Sequence, residues 1–319
     1  MMARSMTPPE STTSQDPELS AAAAARSGHL ALLVVQVMFG LFPVFGTLAF
    51  AEGGFEPLGV ASWRLLTGGI VLGGLAAGVY GRSVFPARRD IPRLALCGFF
   101  GIALNQGLYL TGLERSTPAN AGLIICLVPV FTYGIAAGIG QERFGARRAL
   151  GIGLAFIGLC PLFMGRGATL IGEFAVGNAM IATNALSYAI YLVISKPLVK
   201  RYPPLVVIAW SYLFSLPSLL LFLPSASMMP QDPSNSAVWW SLAFVLAFPT
   251  VLAYLLNIFA LSRVPASTTA FYIYLQPLLA VGVSWWLLGE QLTPQMASAG
   301  LGLFLAVFLV SKPGKRRDT

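Results

Sequence analysis

The sequence predicts an all-α membrane protein whose ten transmembrane helices form two inverted five-helix repeats. Three observations carry the prediction. Of 319 residues, 56% are hydrophobic and 10% charged, with a mean hydropathy of +0.75, which leaves too little polar surface to cover a water-soluble globule. The apolar residues gather into segments close to the roughly 20 residues that cross a bilayer as a helix. The two halves of the chain also match each other at a nearly constant offset.

Residues 1–28 are rich in Ser, Thr, Pro and Ala and lack an apolar period, which predicts a disordered cytoplasmic tail. The tail lacks the short apolar core and cleavage site of a removable leader, so the first apolar stretch is expected to stay as a span. Apolar segments then run over 30–50, 58–79, 93–114, 118–140 and 146–164, and over 175–196, 204–223, 237–262, 266–288 and 293–311. The first repeat is expected over 29–165, the second over 174–311, and a basic cytoplasmic end over 312–319. The 33 glycines and 22 prolines suit this reading, because neighbouring helices in a membrane satisfy the backbone groups that they free.

Orientation follows from the connections, since Lys and Arg are retained on the cytoplasmic side. One side holds Arg4, Arg26, Arg82, Arg88, Arg89, Arg93, Arg143, Arg147, Arg148, Lys196, Lys200, Arg201, Arg263, Lys312, Lys315, Arg316 and Arg317. The other holds Arg115 and Arg166, and Arg64 falls inside the second segment. Both termini are therefore expected in the cytoplasm, with the protein multi-pass in a cell (inner) membrane. The net charge of +8 needs only anionic lipid headgroups as a partner, and no nucleic acid.

The internal match pairs Thr117-Pro118-Ala119 with Val264-Pro265-Ala266 and Trp63 with Trp210 at an offset of 147. It pairs Gln36 with Asn184, Pro129 with Pro277 and Glu142 with Glu290 at 148, and Gly151 and Gly153 with Gly300 and Gly302 at 149. Five spans per half force the second copy upside down relative to the first. Two such halves can exchange conformations and open a central site to either side in turn.

These residues resemble a known family. Gly289-Glu290-Gln291-Leu292-Thr293 before a glycine-bearing last span is similar to the closing signature of an EamA repeat of the drug/metabolite transporter superfamily. Gln141-Glu142-Arg143-Phe144 is its first-half counterpart, departing from the pattern at Gln141. Ser116 to Gly122 with Pro129, Pro265 to Thr268 with Gln276-Pro277, and Trp63-Arg64-Leu65 resemble the same family. The resemblance implies ten spans, a cavity between the halves, and export or import of small metabolites such as amino acids; efflux is the expected direction.

Intramembrane polar residues must face the bundle interior, a wet cavity or a partner. The candidate lining is Gln36, Asn105, Tyr109, Asn120, Asn184, Tyr188, Tyr191, Tyr254, Asn257, Tyr272 and Gln276. Helical spacing puts Asn105 with Tyr109 on one face, and Asn184 with Tyr188 and Tyr191 on another. Neutral amides and phenols can hydrogen-bond a polar solute while their ring faces pack on its apolar part. The competing reading is that they join helices, at about 0.6 kcal/mol each. Pro129 and Pro277 are expected to kink the fourth and ninth spans, as hinges or as static bends. Glu142 and Glu290 are expected to cap or gate at the interface, and Lys196 to anchor there. For Arg64 three arrangements are open: snorkelling to the outer interface, pairing with Glu52 or Glu56, or meeting a solute carboxylate.

No enzyme is expected. The chain has one histidine, His29, and lacks a His-Glu-x-x-His pattern, a Gly-x-Ser-x-Gly elbow with a histidine partner, and a phosphate-binding glycine loop. Cys97, Cys126 and Cys160 have no metal-ligand spacing and are expected as buried inert thiols, so neither a metal nor another cofactor is implied. The alternative to a carrier is a non-transporting membrane receptor or assembly subunit, which would bind solute without flux.

Overall fold

The computed structural model describes residues 17–50, 52–116, 118–164, 172–225 and 227–279, with positions 294, 298, 301, 302 and 305 beyond them. Within these residues the regular structure is helical throughout. In hydrocarbon each backbone amide must be paired inside its own segment, and a helix does this without a partner.

Helix α1 runs Pro17–Ala49, α2 Pro57–Tyr80, α3 Ile91–Gly98, α4 Leu104–Glu114, α5 Pro118–Ile125, α6 Val128–Gly138 and α7 Ala146–Met164. The second half follows with α8 Ala175–Ser195, α9 Pro204–Ser215, α10 Leu219–Phe222, α11 Ser236–Val245, α12 Ala253–Arg263 and α13 Ala266–Phe271. Seven stretches of the described residues are long and apolar enough to cross a membrane: Ala22–Phe42, Pro57–Val84, Arg88–Glu114, Asn120–Gly138, Ala175–Ser195, Pro204–Phe222 and Ser236–Arg263. They correspond to the first four segments expected from the sequence and to the sixth, seventh and eighth. The fifth segment is α7. The ninth is described as far as Leu279, and the tenth, with Glu290, lies almost wholly outside the described residues.

One expectation is corrected. Residues 17–28, assigned to a disordered tail, are the opening turns of α1. The run Ala21 to Ala25 has the highest intrinsic helix propensity, and Pro17 occupies the first turn, where its missing N–H costs nothing.

Two helices are interrupted at equivalent places. A π-helical turn over Phe99–Ala103 joins α3 to α4, and another over Leu246–Leu252 joins α11 to α12. The prolines act similarly: the chain makes a turn at Cys126 and Leu127 just before Pro129, and a 3₁₀ turn at Tyr272–Tyr274 just before Pro277. Proline lacks the donor that would bond one turn back and crowds the carbonyl there, so the turn ahead of it tightens or opens.

Packing pairs the halves reciprocally. Helix α1 lies along α12 and α8 along α4, while α2 and α9 lie along each other. Two glycines let aromatic rings approach a helix backbone closely. The buried ring of Tyr212 on α9 rests on Gly68, and that of Tyr191 on α8 rests on Gly101 in the first π turn; a Cβ at either glycine would stand 2.1 and 2.3 Å from ring carbon. The paired tryptophans are equivalent too. Trp63 Nε1 on α2 donates to the Met228 carbonyl beyond α10 (2.7 Å), and Trp210 Nε1 on α9 donates to the Val84 carbonyl beyond α2 (2.7 Å), at the other end of the bundle. Large apolar side chains such as Ile70, Leu150, Ile157, Leu220 and Trp240 stand exposed around the outside, as a lipid-facing surface requires.

Candidate functional site

The centre of the bundle, where α2, α4, α8, α9 and α12 converge with the two π turns, holds a connected set of neutral polar side chains. Asn257 Nδ2 on α12 donates to the Tyr188 hydroxyl on α8 at 2.6 Å. Asn184 Nδ2 donates to the Asn105 carbonyl at 2.7 Å, and the Tyr254 hydroxyl donates to Asn105 Oδ1 at 3.4 Å. Tyr188 packs on Tyr191 and Tyr254 on Tyr212, with ring centroids 5.8 and 5.6 Å apart. Asn184, Tyr188, Tyr191, Tyr254 and Asn257 are all buried.

The π turns explain why these helices can serve the centre. A π turn leaves carbonyls out of the i to i−4 ladder, and here they receive side chains: Phe100 O from Ser187 at 2.7 Å, Gly101 O from Tyr254 at 3.4 Å, Thr250 O from Tyr212 at 3.4 Å. Thr250 Oγ1, itself bonded to Val245 O at 2.8 Å, accepts from Arg64 Nε at 2.9 Å, and Pro249 O lies 3.5 Å from Arg64 Nη2. Arg64 Cζ sits 4.6 Å above the centroid of the Phe42 ring, and Tyr109 stacks with Phe42 at 6.0 Å. Arg64 therefore neither snorkels nor pairs with a loop carboxylate: it is 3% exposed, Glu56 accepts from the Ser227 amide, and Glu52 stands exposed.

Polar capacity is left over. Among the described residues, both amide atoms of Gln106, Asn184 Oδ1 and Asn257 Oδ1 at this centre, and Gln141 Oε1 away from it, are buried without a hydrogen-bond partner. Gln106 lies beside the hydroxyls of Tyr212 and Tyr254 without reaching bonding geometry. Buried polar groups are nearly always paired, so these amide atoms have bonding capacity to spare for a small polar molecule or water.

The remaining candidates separate from this centre. Gln36 and Gln276 bond to each other (2.8 Å) between α1 and the segment after α13, and Tyr272 bonds His29 (2.8 Å). Asn120 is buried on α5, whose neighbours Ala121 and Ile124 pack against Ile181. Glu142 lies at the end of the bundle carrying most of the basic connections. It accepts from Arg148 (2.8 Å), from the Ser267 backbone N–H (3.0 Å) and from the Ser267 hydroxyl, capping the start of α13. Lys196 closes the same end by donating to the carbonyls of Leu261 and Val264 at the end of α12, rather than anchoring in headgroups. Burial first, and Lys200 second, push the Lys196 ammonium down to about 8, with Glu142 opposing. Around Lys196, Lys200, Arg263 and Glu142 lies a cleft of about 200 Å³.

Sequence reasoning missed Tyr212 and Thr250 and left Gln106 outside the chosen lining. The available signal was the glycine pair Gly68-Gly69 in the second span, which invites a large ring from a neighbour. Among the described residues no group of His, Cys, Asp and Glu could hold a metal ion.

Comparison with known proteins agrees with this architecture. A Bacillus subtilis protein described as the uncharacterized transporter YdfC is 28% identical over 261 residues, covering 81% of this chain and 82% of its own length. A probable terminal-alkyne amino-acid exporter of Streptantibioticus cattleyicolor is 27% identical over 272 residues, covering 83% and 88%. A protein crystal structure superposes with a TM-score of 0.72 at 19% identity, covering 93% of this chain and 99% of that one, a likeness of fold. The model of the EamA-like transporter family matches residues 26–164 and again 175–312. With a match to each half of a multi-pass helical protein, the chain belongs to the EamA-like transporter family.

Proposed function

We propose that this protein carries a small organic metabolite, an amino acid or a related solute, out of the cell by alternating access between two inverted five-span repeats, with both termini in the cytoplasm. The observation that carries the reading is the central polar set, drawn from α4 of the first half and α8, α9 and α12 of the second, with unpaired amide atoms on Gln106, Asn184 and Asn257. A site built across the interface of two halves is the one that their relative motion can expose to each side. Three features support the inversion: π turns at equivalent places, reciprocal packing of α1 on α12 and α8 on α4, and paired tryptophans bonded at opposite ends. Glu142 and Lys196 then close the cytoplasmic end, while the Trp63 contact belongs to the outer end. Pro129 and Pro277 supply the bends on which the fourth and ninth spans move.

Counterflow in proteoliposomes, with a panel of amino acids, amines and nucleosides, tests the proposal. Exchange of at least one labelled solute, reduced by Asn257→Ala, is expected. Saturable binding without exchange of any solute would assign the protein instead to a receptor or assembly role.

A further inference from the structure

We propose that Arg64 receives a carboxylate of the transported solute, so that the carried class is small carboxylates, amino acids among them, rather than amines or nucleosides. This rests on the transporter reading above and names the chemistry of its site.

Arg64 is the eighth residue of α2, about 10 Å along the helix from its start. Among the described residues its contacts are with neutral groups: the Thr250 hydroxyl, the Pro249 carbonyl and the Phe42 ring. Among the described residues no carboxylate is within ion-pair distance of it. Of the carboxylates outside the described residues, Glu10, Asp16 and Asp318 belong by sequence to the chain ends, and Glu290 belongs to the connection between the ninth and tenth spans, on the same side of the membrane as the start of α2. A guanidinium has five N–H donors in a planar fork that fits a carboxylate with two parallel bonds, and the contacts named occupy only part of that fork. Retaining at this depth a cation that meets no carboxylate among the described residues is costly, and intramembrane charges of this kind mark solute pathways.

Gln106 gives the second, independent observation. It is 2% exposed, neither amide atom has a partner in bonding geometry among the described residues, and it lies beside Tyr212 and Tyr254; Tyr212 bonds the carbonyl of Thr250, whose hydroxyl accepts from Arg64. Its N–H groups add donors for an anionic oxygen, while Phe42 and Tyr109 offer an apolar wall for the rest of the solute.

The competing reading makes Arg64 a staple that only holds the second π turn. Competition against counterflow separates the two, using phenylalanine, phenylalaninamide, phenethylamine and 3-phenylpropionate, and the equivalent leucine set, on the intact protein in liposomes. The acids are expected to compete at least tenfold better than the amide and the amine. Arg64→Gln should weaken the acids by roughly 10- to 100-fold and the amide by less than threefold, with Arg64→Lys between. Equal competition by acid and amide in the unaltered protein overturns the inference even if Arg64→Gln fails to fold, and so does an equal loss for both in the variant. Exchange of amines or nucleosides alone would overturn it and leave the transporter reading standing. Exchange of nothing would sink that reading and this one with it.

Discussion

The contact between Gly68 and Tyr212 gives a prediction whose size follows from the coordinates. A Cβ on Gly68 would stand 2.1 Å from Tyr212 Cε1, 2.3 Å from Cδ1 and 2.6 Å from Cζ, where carbon atoms ordinarily rest about 3.5–4.0 Å apart. The ring would have to retreat by roughly 1.5 Å. It is fully buried and has the edge of Tyr254 on another side, 5.6 Å between centroids, so there is little room to yield. Overpacking of this kind costs about 1–3 kcal/mol. Apparent Tm in detergent at one fixed scan rate is the measurement, and at about 2–4 °C per kcal/mol Gly68→Ala should lower it by roughly 2–12 °C. Gly74→Ala on the same helix, where an added Cβ meets nothing within 4 Å, should leave Tm unchanged or slightly raised. Tyr212→Leu removes the obstructing ring, so the double variant should fall short of the summed losses by at least about 1 kcal/mol. A Gly68→Ala protein as stable as its parent, or strictly additive losses, would refute the packing described here.

Three other outcomes are expected. Lys196 titrates at about 8 in the folded protein against an ordinary 10.5, so between those values the folded state binds fewer protons than the unfolded one and stability should rise with pH; below pH 8 the cost of the buried charge is fully present. The Tm difference between the parent and Lys196→Met should therefore shift in the parent's favour from pH 7.5 to 9.5, and a flat difference would contradict it. Gly177→Ala drives a Cβ to 2.2 Å from the Arg115 carbonyl and 2.8 Å from that of Gly112, backbone that cannot swing aside, and should lower Tm at least as much as Gly68→Ala. Tyr188→Phe strips Asn257 of its acceptor inside the bundle, costing about 1–3 kcal/mol. Initial exchange rates in liposomes should fall in that variant with membrane insertion unchanged, and unaltered rates would remove Tyr188 from the site.

Much of this architecture is written in the chain. Hydropathy located the seven membrane-crossing stretches of the described residues because a lipid-facing helix must be apolar over its length, and the offset of about 147 found the pairs Trp63/Trp210 and Pro129/Pro277 that the structure uses in equivalent ways. The site was legible only in outline. Asn184, Tyr188 and Asn257 stood out as polar groups in apolar runs, but so did Gln36 and Gln276, which satisfy each other. Sequence spacing cannot tell a lining amide from one already spent on a neighbour, because the partner lies some 240 residues away. The fate of Arg64 was hidden for a related reason. Its partners are a hydroxyl and a carbonyl presented by a π turn, and nothing in Leu246 to Leu252 except Pro249 signals that turn.

The connection that precedes α2 and the one that follows α10 are stitched together through main chain. The Asp232 amide donates to Gly53 O at 2.7 Å, the Gln231 amide to Gly54 O at 3.1 Å, and Gly59 fits against the carbonyl of Ser227. Surface connections are usually where a chain tolerates an epitope tag or a few added residues. These two are exceptions: lengthening either one slides its amides out of step with the other, so the pair must vary in concert, and a reporter sequence belongs elsewhere on that face.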